Sequence, residues 1–145
     1  MAATFRPERV TCFSGVPRSH QADARGRKTR RIVNVTTIGS QVPVLIGNAG
    51  YSASKAAVNM LSKNIALDHA KDGITVNCIL PGPMITEDTA RMSAPPSGPG
   101  AVPERYPLGL MKPEDIVALL LPLLGPSGRF ITGQSFIVDS GFFIA

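Results

Sequence analysis

Gly50–Val58 reads GYSASKAAV, and this stretch decides how the rest of the chain is understood. Tyr51 and Lys55 stand four residues apart, a spacing that sets two side chains on one helical face. A free phenol titrates near pH 10, about three units above neutrality. A cation within a few Å favours the phenolate, so Lys55 would bring Tyr51 toward a range useful for acid/base chemistry. Taken alone the pair is a weak signal, because Tyr-x-x-x-Lys is common on solvated helix surfaces.

Outward from this pair the pattern is one of alternating elements. From Tyr51 to about Lys71, Ala53, Ala56, Ala57, Met60, Leu61 and Ile65 recur at helical spacing, and Gly73 ends the run. Short β-branched runs bounded by turn residues predict strands at 31–37, 74–80 and 134–139. Pro113, followed by Glu114 and Asp115, opens a second helix, because proline suits a first turn and acids suit the positive end of a helix dipole. Pro122 should kink or end that helix. Strand, helix, strand, helix, strand predicts a parallel α/β sheet. Between the second strand and the second helix, residues 83–109 are rich in proline and glycine and read as a long irregular connection. A loop of that length is either functional or a flexible linker.

The order of the fragments carries more than any one of them. RIVNVTT from Arg31, GYSASKAAV, GITVNCILPGPMIT, KPEDIVALLL and FITGQSFIVDSG follow one another. Together they resemble the second half of a short-chain dehydrogenase/reductase, over residues 31–141. That family's pattern is a hydroxyl residue ending a strand, Tyr-x-x-x-Lys, Asn-x-x-x-Pro-Gly-x-x-x-Thr, Pro-Glu-Asp-Ile, and a closing Thr-Gly with Val-Asp. Within the family the resemblance runs to β-ketoacyl carrier-protein reductases and to sugar or polyol dehydrogenases.

The resemblance implies a fold, the C-terminal half of a Rossmann-type doubly wound parallel sheet, and an activity, NAD(P)-dependent interconversion of alcohols and carbonyls. It implies that Tyr51 passes a proton to or from the substrate oxygen while a nicotinamide carries the hydride. It implies that Lys55 both lowers the tyrosine pKa and holds the cofactor ribose. Thr37 falls where the family places the hydroxyl that bonds the substrate carbonyl, one residue farther from the tyrosine than usual. Ser40 competes for that role after a loop shift, and an ordinary strand-end threonine is the remaining alternative. Asn77, Pro81, Gly82, Met84 and Thr86 match the cofactor-facing segment after the next strand, with backbone at Met84 meeting the nicotinamide amide and Thr86 reaching the amide or the phosphate. In the same family residues 83–109 would form the substrate lid, and Asp139 and Gly141 would close the last strand. The expected cofactor is NAD or NADP, and the expected substrate is a small alcohol or ketone.

The departures are as specific as the matches. Glycine-rich turns seat a dinucleotide pyrophosphate on a helix N-terminus, and no Thr-Gly-x-x-x-Gly-x-Gly is present. FSGVPRS, from Phe13, has one glycine and no helix pattern behind it. Asn48-Ala49-Gly50 imitates a family motif that belongs on a strand well before the tyrosine. The residue that would select NAD over NADP and the asparagine of the family's proton relay are also missing. Residues 31–145 therefore read as a partial Rossmann-like domain, and residues 1–30 as an unrelated, disordered leader.

Composition supports that division. The chain has 145 residues, 43% of them hydrophobic, enough for one domain. Residues 1–31 hold eight Lys/Arg against two acids, and residues 32–145 hold seven against eight, so the basic charge belongs to the leader. Arg25, Arg27, Lys28, Arg30 and Arg31 form a cluster open to three readings: contact with nucleic acid, organellar import, or a solvated arm at a misassigned start. Pro7 and Pro17 break the amphipathic helix that import prefers, and nucleic acid is not the expected partner. Two cysteines make no disulfide framework and suit a reducing, cytoplasmic compartment. The longest apolar run is short and interrupted by Pro122, so no membrane span is expected.

The sequence leaves two functions open. One is an oxidoreductase whose nucleotide half is not in this sequence, so that the isolated chain is inactive. The other is a non-catalytic fragment or pseudoenzyme acting as an oligomerisation or binding module. A homo-oligomer is expected in either case, because the strand RIVNVTT would lack a neighbour on one side and open edges recruit other chains.

Overall fold

A computed structural model describes residues 11–15, 30–85 and 105–145. The elements in chain order are β1 (Thr11–Gly15), β2 (Arg30–Val35), a 3-10 turn at Ile38–Ser40, α1 (Ala49–His69), β3 (Ile74–Pro81), α2 (Pro113–Leu124) and β4 (Ser135–Val138). The strands form one sheet in the order β1-β2-β3-β4. β2, β3 and β4 are parallel, in register from Arg30↔Ile74 to Val35↔Ile79 and from Cys78↔Ser135 to Pro81↔Val138. The predicted strands are therefore present, with ends shifted by one or two residues.

Side-chain alternation along β2 and β3 places helices on both faces of this sheet. Val33 and Ile79 point one way and pack with Ile116, Leu120 and Leu123 of α2, together with Met111. Cys78 and Leu80 point the other way, toward Ile38, Val44 and Phe142. Asn34 and Thr36 face α1 on that second side, where they bond Ser62 and Asn59. The doubly wound α/β arrangement expected from the sequence is thus observed.

α2 begins as predicted. The Asp115 carboxylate accepts the Lys112 N–H at 2.7 Å, and Pro113 occupies the first turn, where no intrahelical donor is needed. Pro122 does not end the helix. It sits in the final turn, and Gly125 N–H donates to the Leu121 carbonyl at 2.9 Å to close it. Gly128 then packs so tightly that an added Cβ would stand 2.2 Å from the Leu123 carbonyl oxygen.

The leader reading needs correction at β1. Thr11–Gly15 pair antiparallel with β2, from Thr11↔Val35 to Gly15↔Arg31. The edge of RIVNVTT that was expected to lie open is therefore occupied, as the unpaired N–H and C=O groups of a strand edge favour. Arg30 and Arg31, counted with the basic cluster, belong to β2 itself. Arg31 is buried beside its cross-strand partner Thr75, and its Nε and Nη1 have no hydrogen-bond partner among the described residues. Arg25, Arg27 and Lys28 lie outside the described residues, as do Pro7 and Pro17.

Candidate active site

Topology brings the candidate residues to one edge of the sheet. The three parallel strands end at Val35, Pro81 and Val138, so Thr37, Gly82 and Asp139 follow their carboxyl ends. α1 starts on the same side and runs back to begin β3 at Ile74, so its first turns, with Tyr51 and Lys55, stand at that edge too. In open α/β sheets this is where ligands bind.

α1 inverts the usual helix. Its buried positions are Lys55, Asn59, Ser62 and Ala66, whereas Ala53, Ala57, Met60 and Leu61 are exposed. The apolar periodicity thus located the helix but marks its outward side. The sheet-facing side is polar because Asn34 Nδ2 donates to Ser62 Oγ at 2.8 Å, Ser62 Oγ donates to the Val58 carbonyl at 2.7 Å, and Thr36 Oγ1 donates to Asn59 Oδ1 at 2.8 Å. Buried polar groups persist when they are bonded in this way.

Tyr51 and Lys55 share that side. Lys55 is 7% exposed. Its Nζ stands 5.6 Å from the centroid of the half-buried Tyr51 ring, within the range of a cation–π contact. No carboxylate or carbonyl bonds this ammonium among the described residues. Its three donors therefore fit a ligand rich in hydroxyl oxygens, such as a ribose.

Thr37 and Ser40 differ in what their hydroxyls have left to give. Thr37 Oγ1 caps the 3-10 turn by accepting the Gly39 N–H at 3.2 Å, and its own hydrogen has no acceptor among the described residues. Ser40 Oγ donates to the Thr37 carbonyl at 2.5 Å and accepts from Asn59 Nδ2 at 2.6 Å, so its single hydrogen is used. The turn rests on the start of α1: a Cβ at Gly39 would lie 3.4 Å from Ser52 Oγ.

The segment after β3 is shaped by its own neighbours. Pro81 is buried opposite Val138, and Gly82 N–H donates to the Val138 carbonyl at 2.8 Å. A Cβ at Gly82 would stand 2.8 Å from Asp139 Cα, so chain packing alone requires glycine there. Met84 pairs with Met111 in an isolated parallel bridge, and Ile85 N–H donates to the Met111 carbonyl at 2.8 Å. Thr86 lies outside the described residues, with 87–104. The far end of the 83–109 connection is anchored, since Tyr106 stacks on Phe142 at 5.4 Å and Leu108 N–H donates to the Ser140 carbonyl at 3.1 Å.

Asn77 spends both ends of its amide on structure, donating to the Ile131 carbonyl at 2.8 Å and accepting Gln134 N–H at 3.0 Å. It ties the turn before β4 to β3. Asp139 accepts the N–H groups of Gly141 and Phe143 at 3.0 and 2.9 Å, which closes the last strand.

A groove of about 430 Å³ lies beside this edge, lined by the 39–43 segment, the turn before α1, and Ser52, Ala53 and Ala56. Tyr51 and Lys55 do not line it. At 3.6 residues per turn, Tyr51 is roughly 150° around α1 from the centre of that lining. The groove and the Tyr51–Lys55 pair are therefore on different sides of the helix.

Sequence reasoning missed Asn59, Thr36 and Ser62. The signal was present: Asn59 continues the four-residue repeat of Tyr51 and Lys55, and Thr36 adjoins Thr37.

A family model described as enoyl-(acyl carrier protein) reductase matches residues 9–143. The chain belongs to the short-chain dehydrogenase/reductase family. The family match begins within the segment that the sequence set apart as a leader. The chain is similar to 3β-hydroxysteroid dehydrogenase 1 of Eggerthella lenta, with 37% identity over 76% of this chain and 42% of that protein. It is also similar to a 3-oxoacyl-[acyl-carrier-protein] reductase of Synechocystis, with 34% identity over 79% of this chain and 45% of that one. Among solved structures, a 4-hydroxyisoleucine dehydrogenase complexed with NADH superposes with a TM-score of 0.68 at 29% identity, covering 84% of this chain and 50% of that chain. The chain spans about half the length of the curated relatives it matches. No helix of the described residues is long and apolar enough to cross a membrane.

Proposed function

We propose that this chain supplies the acid/base half of an NAD(P)-dependent oxidoreductase site that interconverts a small alcohol and a carbonyl. The observation that carries the proposal is the Lys55 ammonium, buried on the sheet-facing side of α1 and 5.6 Å from the Tyr51 ring centroid. In this reading the Tyr51 phenol exchanges a proton with the substrate oxygen. Lys55 favours the phenolate by its charge and offers its remaining donors to ribose hydroxyls. Thr37, whose hydroxyl hydrogen has no acceptor among the described residues, donates to the substrate oxygen. Backbone at Pro81, Gly82 and Met84, with Thr86, meets the cofactor. The nicotinamide supplies the hydride chemistry when bound.

NADH- and NADPH-dependent reduction of a panel of ketones and 3-oxoacyl esters tests the proposal, using the chain alone and joined to the nucleotide-binding first half of a relative. Turnover in the joined form, lost on Tyr51→Phe, is the expected result. Turnover indifferent to Tyr51→Phe, or none while the cofactor still binds, would overturn it.

The antiparallel pairing of β1 favours a second reading. β1 occupies the edge of β2 along which a wholly parallel sheet would continue. A chain closed at that edge suits a non-catalytic module that assembles through its exposed helix side. Cofactor titration separates the two, since only the first reading requires binding.

A further inference from the structure

We propose that Asn59 is a positioning residue that sets where the Thr37 hydroxyl points. This rests on the reading of Thr37 as the substrate-facing donor. Asn59 is 8% exposed and lies one helical turn beyond Lys55, as Lys55 lies one turn beyond Tyr51. Its amide reaches both sides of Thr37. Oδ1 accepts from Thr36 Oγ1 at 2.8 Å, and Nδ2 donates to Ser40 Oγ at 2.6 Å.

The bond directions make this a clamp rather than a set of separate contacts. Ser40 holds the Thr37 carbonyl twice, by its N–H at 3.1 Å and by its hydroxyl at 2.5 Å. With its hydrogen spent there, Ser40 Oγ can only accept, and the Asn59 amide nitrogen is the donor that meets it. Thr36 is fixed on the other side, its N–H donating to the Ile79 carbonyl at 2.9 Å and its hydroxyl directed at Asn59. Thr37, next to Thr36 and with its carbonyl held by Ser40, has little freedom left. The turn carrying Thr37 is thereby fastened to the helix side that carries Tyr51 and Lys55, so one side chain sets the distance between the carbonyl-binding hydroxyl and the proton donor. Misplacement on the ångström scale is costly to catalysis.

Two measurements on Asn59→Ala test the clamp, with Ser62→Ala as the control. Ser62 is buried on the same side of α1, but it bonds Asn34 of β2 and not the 36–40 turn. Hydrogen exchange on the full chain should show the amides of Ser40, Gln41 and Val42 losing about tenfold protection in Asn59→Ala, the scale of one hydrogen bond. Those of β3 should be unchanged, and Ser62→Ala should leave 40–42 protected. Where NAD(P)H turnover is present, Asn59→Ala should lower kcat by about tenfold or more with the cofactor KM unchanged. Unchanged exchange at 40–42, or equal losses of kcat in both variants, would overturn the proposal. Absence of turnover in the wild-type protein would instead count against the oxidoreductase reading, and exchange alone would then decide the clamp.

Discussion

Lys55 Nζ stands 5.6 Å from the centroid of the Tyr51 ring, and that cation is held on a helix side shared with Asn59 and Ser62. The contact is testable because the chain contains two tyrosines and no tryptophan. In a Tyr106→Phe background, the ultraviolet phenolate band reports Tyr51 alone. Lys55→Met removes a charge that favours phenolate, so Tyr51 should ionise at higher pH in the variant. Coincident titrations of the two proteins would separate Lys55 from the chemistry of Tyr51.

The choice between Thr37 and Ser40 follows from their bonding. Thr37→Val keeps the shape and removes the free hydroxyl hydrogen, and should lower turnover about a hundredfold, the scale of one oriented donor. Thr37→Ser should retain activity. Ser40→Ala breaks a supporting bond and should cost less than Thr37→Val, so the opposite ranking from steady-state kinetics would transfer the role to Ser40.

Gly128 admits no side chain, since its Cβ would meet the Leu123 carbonyl oxygen at 2.2 Å. Gly128→Ala must displace the end of α2, where Leu123 is buried in the core. A loss of about 1–3 kcal/mol or more is expected from such overpacking, measured by urea denaturation. Gly47→Ala meets no atom of the described residues within 4 Å. It bears only the strain of a positive φ, so it should cost less.

Arg31 places a guanidinium in the sheet with Nε and Nη1 unpaired among the described residues. Buried charge without a partner costs free energy that an apolar side chain of similar length does not. Arg31→Met should therefore leave stability unchanged or raise it. A lowered denaturation midpoint would reveal a partner for Arg31.

Much of the sheet was legible because short β-branched runs bounded by turn residues, such as RIVNV and ITVNCIL, suit strands of a sheet covered on both faces. β1 was not. TCFSG is short and carries no distinctive alternation, and its pairing is decided by a vacant edge elsewhere in the chain. The buried side of α1 was also hidden, because residue type predicts burial only when polar groups lack partners. Lys55, Asn59 and Ser62 look like surface residues until Asn34 and Thr36 are placed opposite them. Tyr51, Lys55, Thr37 and Gly82 were legible as ordered motifs, while the commitment of Ser40's hydrogen emerged only with three-dimensional geometry.

Met60 and Leu61 are 58% and 57% exposed on the outward side of α1. Exposed apolar stripes of this kind favour self-association. We expect an oligomer by light scattering coupled to size exclusion, shifting toward a smaller species in Met60→Lys/Leu61→Lys. A monomer in both proteins would argue that this side is solvated.

The bonding on the inward side of α1 has a consequence for how such a chain ages. Removing Asn59 takes the nearest acceptor from Thr36 and the donor from Ser40, and removing Ser62 takes the acceptor from the Asn34 amide nitrogen, so packing alone resists change at these positions whether or not any reaction is performed. The Lys55 ammonium has no such tether among the described residues. In a lineage that had abandoned chemistry, the Asn59 and Ser62 lattice would outlast its purpose while Lys55 drifted. The position that records whether selection still acts on a reaction is therefore the one least needed to hold the helix on the sheet.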